Sequence, residues 1–203
     1  NLATAWMWTY DGRRFEAPTF AMGMAPAGNL YSTVIDLSNF LLAIFAEGRG
    51  PGGAIVKPET LAKMIAPGTE ADGSPQRFGL GFHVTELDGH RQIGHGGAVY
   101  GFSTQLEALP DRMLDVAAVA ALDGSNGVVG RLTEYALRLM LAAEDGEELP
   151  EYRKTDAVPA ARARAMAGTY AHGDELAEVV ELNGRWYVHR GELRHERGAD
   201  RDA

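Results

Sequence analysis

Hydrophobic residues recur at intervals of three and four in two parts of the chain, which is the spacing of an amphipathic helix. The first series follows Thr33 and ends before Gly48, with Asp36 three positions after Thr33 as in a capping box. The second series covers residues 126–143. A shorter helix is predicted over residues 58–66, because the proline that opens it suits a first helical turn.

Between these helical parts the apolar residues form short runs separated by turn residues. The predicted strands are residues 78–85, 91–95, 100–109 and 114–122. Connections of hairpin length, such as Asp88-Gly89, predict that the strands form an antiparallel meander. The last run is almost wholly apolar, which predicts that both of its faces are covered.

The two ends of the chain carry separate hairpin signals. Asp11-Gly12 lies between aromatic-rich arms within residues 5–16, and Asn183-Gly184 lies between two strand-like runs. Residues 18–29 are rich in Gly, Ala, Met and Pro, which predicts an irregular loop.

The pattern predicts an α+β fold, an antiparallel sheet with flanking helices, followed by the start of a small β domain. We expect residues 1–143 to form the first domain, residues 144–163 an acidic linker and residues 164–203 the second domain, cut short.

Composition excludes several classes of partner. The formal net charge is −9, and the basic residues are scattered, so neither nucleic acid nor an anionic membrane surface is an expected partner. The absence of cysteine excludes disulfides and thiolate nucleophiles. No apolar run approaches the roughly 20 residues that span a bilayer. The chain begins with Asn1 and has no leader pattern, so we expect an internal piece of a longer polypeptide.

A search for catalytic motifs gives mainly negative results. None of the five serines has a lysine three residues later, and Gly101-Phe102-Ser103 lacks the second glycine of a nucleophile elbow. The histidines show no metal-ligand spacing, and no cofactor is predicted.

The remaining candidate is the segment Gly94-His95-Gly96-Gly97-Ala98. One interpretation is a glycine-rich turn with an incidental histidine. The other is a ligand-binding strand edge, because glycines let a ligand lie against the backbone and His95 can donate to a carboxylate or an oxyanion. The pattern alone leaves both open.

Several separated motifs over residues 1–143 resemble the β-lactamase-related serine hydrolases, a group that includes class C-like β-lactamases, D-Ala-D-Ala carboxypeptidases, D-aminopeptidases and β-lactamase-like esterases. Residues 26–33 (PAGNLYST) are similar to the family's A-G-G-L-x-S-T loop, with Asn29 in place of the second glycine. Residues 78–82 (FGLGF) are similar to its Y-G-L-G-W strand, and His95-Gly96-Gly97 falls at its third motif. Residues 164–203 resemble the start of a lipocalin-like extension.

The resemblance implies a hydrolase that forms a serine acyl-enzyme on an amide or ester, with its Ser, Lys and Tyr upstream of this chain. It implies that His95 and the Ala98 N–H are catalytic and that Gly96, Gly97 and Tyr100 bind substrate. It also implies a bacterial protein in the periplasm or outside the cell. The substrate (a β-lactam, a D-amino-acid peptide or an ester) and the oligomeric state are not predicted.

Two other functions stay open at this point. One is a non-catalytic binding or regulatory protein on the same scaffold. The other is a different hydrolase that uses Ser103 or Ser32 with one of the histidines, which requires a histidine within hydrogen-bond reach of that serine.

Overall fold

The structure is a computed structural model that describes residues 2–9, 13–19, 23, 25–69, 77–152, 159–172, 175–182 and 185–192. Residues 1–152 form one unit and residues 153–203 form a second.

The first unit is organised around a four-stranded sheet, with helices and two short ribbons beside it. Its elements, within the described residues, are β1 (Trp6–Trp8), β2 (Arg14–Glu16), α1 (Ala25–Gly28), α2 (Val34–Phe45), β3 (Arg49–Gly50), β4 (Gly53–Ala54), α3 (Pro58–Met64), β5 (His83–Leu87), β6 (His90–Val99), β7 (Phe102–Leu109), β8 (Leu114–Ala120) and α4 (Asn126–Asp145).

The central sheet has the order β5-β6-β7-β8, and every neighbouring pair is antiparallel. Asp88 and Gly89 connect β5 to β6 with φ angles of 51° and 85°. Positive φ at both positions is what a type I′ hairpin turn requires. The predicted meander is therefore confirmed, and so is the fold class.

Helices pack on both faces of this sheet. One apolar cluster joins Leu41 of α2 and Leu61 of α3 to Ala108 of β7, and a second joins Leu137 of α4 to Leu109 of β7. Successive residues of a strand face opposite sides, so the two clusters lie on opposite faces. Both α2 and α4 contact β8, but the strand is only half-buried and Val119 is 43% exposed, so the predicted coverage of both faces is incomplete.

The predicted start of α2 is confirmed in detail. The hydroxyl of Thr33 accepts from the Asp36 N–H at 3.1 Å and donates to the Asp36 carboxylate at 2.9 Å. The helix ends in a Schellman motif, in which Glu47 takes a left-handed φ of 55° and donates its N–H to the carbonyl of Ile44, while the Gly48 N–H bonds the carbonyl of Ala43. Gly48 continues the turn with a φ of 84°, which glycine takes without strain.

The prediction of a strand over residues 78–82 is wrong, because β5 begins only at His83. The Gly79 N–H donates to the carbonyl of Phe82 at 2.8 Å, and Gly81 has a φ of 85°. These contacts fold the segment into a turn that brings Phe78 opposite His83. The alternation of apolar residues with glycine imitates a strand, while the glycines permit the turn.

The expectation of an irregular loop over residues 18–29 needs a smaller correction, since Ala25–Gly28 form the short helix α1. The first hairpin is confirmed by the antiparallel pairing of β1 with β2, in which Met7 lies opposite Phe15. Its turn, Asp11-Gly12, lies outside the described residues.

Part of the expected linker lies along α4, which continues to Asp145. The Tyr135 hydroxyl donates to the carbonyl of Pro150 at 2.9 Å, and the rings of Tyr135 and Tyr152 are 4.9 Å apart. Residues 153–158 lie outside the described part of the chain.

The second unit contains a short helix and a three-stranded antiparallel sheet of order β11-β10-β9 in its described residues. Its elements are α5 (Ala160–Ala165), β9 (Gly168–His172), β10 (Glu175–Leu182) and β11 (Arg185–Glu192). Strands β10 and β11 pair up to Leu182 opposite Arg185, as the hairpin signal predicts, although residues 183–184 lie outside the described range. The lipocalin-like extension stays a prediction.

Within the described ranges, no helix combines the length and the apolar character that crossing a bilayer requires.

Candidate active site

The glycine-rich segment lies inside strand β6. Strand β6 pairs with β7 from Ile93 to Val99, but with β5 only as far as Gly94, which lies opposite His83. Among the described residues, no strand continues beside positions 95–99 on the β5 side. These positions, called the β6 edge below, can therefore hydrogen-bond an extended ligand. Of the two interpretations of this segment, the glycine-rich turn is wrong.

The hairpin that follows β6 fixes the direction of the backbone groups along this edge. Val99 and Phe102 close a two-residue turn, so they form a hydrogen-bonded pair. Hydrogen-bonded and non-hydrogen-bonded pairs alternate along an antiparallel ladder, so Gly97 also bonds to β7, whereas Gly96 and Ala98 direct their N–H and C=O groups to the open side. Counting from the hairpin at the other end of β6 gives the same result.

His95 is exposed at the start of the β6 edge. Its Nδ1 lies 2.6 Å from the carbonyl oxygen of Gly96. A carbonyl only accepts, so Nδ1 carries the proton and Nε2 of the neutral ring is a hydrogen-bond acceptor. His95 therefore donates to a substrate oxyanion or carboxylate through Nε2 only when its ring is protonated.

A second histidine, which the sequence analysis did not single out, lies beside the first. The rings of His83 and His95 are 5.5 Å apart between centroids, and both rings contact Phe78 at 4.7 Å and 6.0 Å respectively. The turn formed by residues 78–82 produces this aromatic cluster. No local pattern predicts this cluster, because it depends on the turn at residues 78–82 and on the pairing of β5 with β6.

Packing against β7 explains why glycines occur at these positions of β6. A Cβ at Gly96 would approach the side-chain oxygen of Gln105 to 2.8 Å, and a Cβ at Gly97 would collide with the Thr104 hydroxyl. Side chains of β7 thus lie across the glycine positions of β6. These β7 side chains lie over the faces of the sheet and not along its open hydrogen-bonding side, so the binding role of Gly96 and Gly97 stays a prediction.

Tyr100 and Gly101 form the turn between β6 and β7. The Tyr100 side chain is half exposed, at 52%. Gly101 has a φ of 80°, and a Cβ there would lie 2.6 Å from the Ala5 side chain and 2.7 Å from that of Ala17. The first hairpin of the chain therefore packs directly against the end of the β6 edge. This places Tyr100, the predicted substrate-binding residue, at the border of the edge.

Ser103 is not available as a nucleophile. Its side chain is fully buried, its hydroxyl donates to the carbonyl of Leu122 at 3.0 Å, and it accepts from the Ser125 N–H at 3.0 Å. Ser32 is exposed, and its hydroxyl points to the carbonyl of Thr33 at 3.4 Å. In the described part of the chain, the hydroxyls of both serines bond to backbone groups and not to a histidine, so a hydrolase that pairs either serine with a histidine is not supported.

Asn126, the first residue of α4, reaches the β6 edge from the opposite side. Its side-chain amide donates to the carbonyl oxygen of Gly97 at 2.8 Å. In the sequence pattern, Asn126 stands out only as the first residue of a predicted helix. The contact joins residues 29 positions apart, so no local pattern could have revealed it.

A carboxylate lies on the α4 side of the same sheet. Burial raises the pKa of Glu107 above its ordinary range, although hydrogen bonds from Gln105 and Gln92 act against this rise, and the nearby Glu134 carboxylate adds to it. The Glu107 side chain crosses Gly94 rather than the open edge. Glu107 therefore belongs to the interior of the sheet–helix contact.

The first unit also has a cavity of about 330 Å³ between the β5–β6 hairpin and the end of α4. Its lining includes Asp88, His90, Arg138 and Asp145. Their charges are already paired: Arg138 with Asp88 and Glu134, His90 with Asp111, and Asp145 with Arg112. Among the described residues, no three His, Cys, Asp or Glu side chains are placed to hold a metal ion. The β6 edge, not this cavity, carries the candidate chemistry.

A family model described as beta-lactamase matches residues 1–141. The chain belongs to the β-lactamase family. The match covers the sheet, the helices on both of its faces and the whole β6 edge, so the resemblance of the sequence motifs is confirmed at the level of the family.

Curated relatives of the chain include D-aminopeptidases of Brucella ovis and Brucella canis. Each is 31% identical over 81 residues, which is 40% of this chain and 14% of the relative. The aligned part is thus a small fraction of those proteins' length.

Among solved structures, the octameric penicillin-binding protein homologue from Pyrococcus abyssi is similar, with a TM-score of 0.61 and 21% identity. The similarity covers 93% of this chain and 43% of that one. It shows that this member of the β-lactamase family has a penicillin-binding-protein-like fold.

Proposed function

We propose that this chain forms one wall of the active site of a serine hydrolase, which cleaves an amide or ester through an acyl-enzyme. The β6 edge is the observation that carries the proposal. It presents the outward N–H of Ala98 and an exposed His95 along one open strand, and the half-exposed Tyr100 in the turn that follows. In a member of the β-lactamase family, such an edge can bind an extended substrate while the N–H stabilises the oxyanion.

We further propose that the nucleophilic serine and its lysine come from polypeptide outside this chain. The sequence contains no Ser followed by Lys three residues later, and Ser103 is buried in structural hydrogen bonds. The similar penicillin-binding protein homologue has more than half of its length beyond the part that this chain matches.

D-amino-acid peptides or amides are the substrate class that we propose first. The support is the name of the curated relatives, the D-aminopeptidases, whose aligned segment is 31% identical to this chain. β-Lactams and simple esters are the alternatives, and a substrate panel separates the three.

The experiment uses the full protein with the polypeptide that precedes this chain. We expect a fluorophosphonate to label one serine that peptide mapping places outside residues 1–203, and D-alanine p-nitroanilide to be cleaved faster than nitrocefin or p-nitrophenyl acetate. Absence of any labelling favours a binding or regulatory protein on the same scaffold. A label on Ser32 or Ser103 contradicts the placement of the nucleophile.

The role of His95 is tested by His95→Ala in the same protein, with the exposed His172 of β9 as the matched control position. We expect kcat/KM to fall at His95→Ala by more than the loss of folded protein accounts for, and to be unchanged at His172→Ala. Equal activity of the two variants would remove His95 from the mechanism.

A further inference from the structure

We infer that Asn126 is a positioning residue, which holds and polarises the peptide group between Gly97 and Ala98 so that its N–H serves the reaction. The inference rests on the proposed function, since it names what sets the geometry of the same site. Its structural basis is the 2.8 Å hydrogen bond from the Asn126 side-chain amide to the Gly97 carbonyl.

The decisive relationship is that the bonded carbonyl and the catalytic N–H belong to one peptide unit. A trans peptide is planar, and its C=O and N–H point in opposite directions. The chain has no cis peptide bond in its described residues. The Gly97 oxygen therefore points towards β7 and Asn126, while the Ala98 N–H points to the open side of β6. Any rotation of this plane would redirect the donor.

The Gly97 carbonyl oxygen accepts two hydrogen bonds. One comes from β7, where Gly97 pairs with Thr104, and the other comes from the Asn126 side chain. The two donors together occupy both lone pairs of the oxygen. Hydrogen bonds in series strengthen one another, so a second donor on the oxygen makes the N–H of the same peptide group a better donor. The added bond thus both fixes the direction of the Ala98 N–H and strengthens its bond to a developing oxyanion.

Asn126 can act in this way because the start of α4 is itself fixed. The buried Ser103 hydroxyl bonds both Leu122 and Ser125, which flank the turn from β8 to α4. The Asn126 side chain is partly buried, so its bond to the Gly97 carbonyl is partly shielded from solvent. Ser103 of β7 therefore holds the turn that leads into α4, and Asn126 at the start of α4 bonds Gly97 of β6.

The test begins with a measurement that does not depend on activity. In the isotopically labelled full protein, Asn126→Asp keeps the side-chain shape but replaces the donating amide with an acceptor. We expect the Ala98 amide proton resonance to move upfield and the Gly97 carbonyl carbon resonance to shift, while amides of α2 stay in place. Asn39→Asp, the same change at an exposed position of α2, is the matched control and should move neither resonance.

Kinetics then test the role in the reaction. We expect Asn126→Asp and Asn126→Ala to lower kcat roughly tenfold with KM within about twofold of wild type, because a weakened oxyanion donor acts on the transition state. Asn126→Ala introduces no charge, so agreement of the two variants excludes simple repulsion. Thermal unfolding of each variant confirms that the folded protein is being compared.

The outcomes separate the inference from the proposed function. A wild-type protein that no fluorophosphonate labels refutes the proposed function. A labelled wild type whose Asn126 variants keep full kcat, or whose Ala98 resonance does not respond, refutes the positioning role alone. A parallel loss of folded protein and activity, with an unchanged resonance in the folded fraction, reduces Asn126 to a structural residue and overturns the inference.

Discussion

The hydroxyl of Ser103 donates a hydrogen bond to the carbonyl of Leu122 at 3.0 Å, across the turn that leads from the last strand of the sheet into α4. The same oxygen accepts from the N–H of Ser125 at 3.0 Å, and the side chain is fully buried. One buried serine side chain thus bonds two backbone groups of a partly buried turn. Strands β7 and β8 and helix α4 meet at this point.

We predict that Ser103→Ala lowers the free energy of unfolding by about 1–3 kcal/mol, because it removes the fully buried hydroxyl that bonds both the partly buried Leu122 carbonyl and the Ser125 N–H. Urea denaturation of the full protein measures the change. Ser32→Ala, at an exposed serine before α2, should change it by less than about 0.5 kcal/mol. Equal effects at the two positions would contradict the structural role of Ser103.

The N-cap of α2 gives a second prediction. Thr33→Val keeps the branched shape but removes the oxygen that accepts from Asp36, so the free energy of unfolding should fall by about 1 kcal/mol. Thr33→Ser retains that oxygen and should stay close to wild type. The prediction is wrong if valine and serine give the same denaturation midpoint.

A third prediction concerns the packing of β7 across β6. Gly97→Ala should destabilise the protein by about 1–3 kcal/mol, because the added Cβ collides with the Thr104 hydroxyl. Thr104→Ala removes that oxygen, so the double variant should recover part of the loss, with a coupling energy of about 1 kcal/mol. A double-mutant cycle by urea denaturation gives the coupling directly.

The control for this cycle is Gly52→Ala, since no atom lies within 4 Å of a Cβ at Gly52. Strict additivity of Gly97→Ala with Thr104→Ala would mean that the glycine is required for another reason. Ligand access along the β6 edge would then be the remaining explanation.

Glu107 gives a prediction about pH. Burial raises its pKa in the folded state, so the folded protein holds this proton more tightly than the unfolded chain does. As pH rises from the ordinary glutamate range through the raised pKa, the unfolded state loses the proton first, and the wild type loses stability. Glu107→Gln has no such proton to lose.

We therefore expect the wild-type free energy of unfolding, minus that of Glu107→Gln, to decrease as pH is raised from about 4 to 7. Glu86→Gln, at an exposed carboxylate of β5, controls for the loss of one negative charge. A difference that grows with pH would mean that the bonds from Gln105 and Gln92 outweigh burial.

The local signals in the sequence predicted most of the fold. Thr33 with Asp36, the proline at position 58 and Asp88-Gly89 each fix a nearby helix start or turn by geometry that a few residues determine. The meander and the helices on both faces follow from those elements. The motifs of residues 1–143 predicted the family that the comparison over residues 1–141 shows.

The sequence was a poorer guide in glycine-rich segments, because glycine adopts backbone conformations that the pattern of apolar residues does not reveal. In residues 78–82, glycine alternates with apolar residues as in a strand, yet Gly81 takes a positive φ and the segment turns. In residues 94–98, the glycines left a turn open as an interpretation, although neighbouring side chains of β7 hold the segment as a strand.

The candidate site could be predicted only in its contiguous part. His95, Gly96, Gly97, Ala98 and Tyr100 are neighbours in sequence, and the structure places them along one edge and its turn. His83 and Asn126 reach that edge through tertiary contacts across strands and from α4, which no local pattern contains. Their catalytic and binding roles stay predictions for the experiments above.

The contact of Gly101 with Ala5 and Ala17 has a consequence for engineering within the family. The end of the β6 edge packs against the ribbon formed by β1 and β2, which lies near the start of the residues that the family model matches. A chimera that exchanges only the β6–β7 hairpin between two relatives would place the new turn against Ala5 and Ala17 of the original protein, to which it is not fitted. The β1–β2 pair and the β6–β7 hairpin must therefore be exchanged together if the end of the β6 edge is to keep its shape.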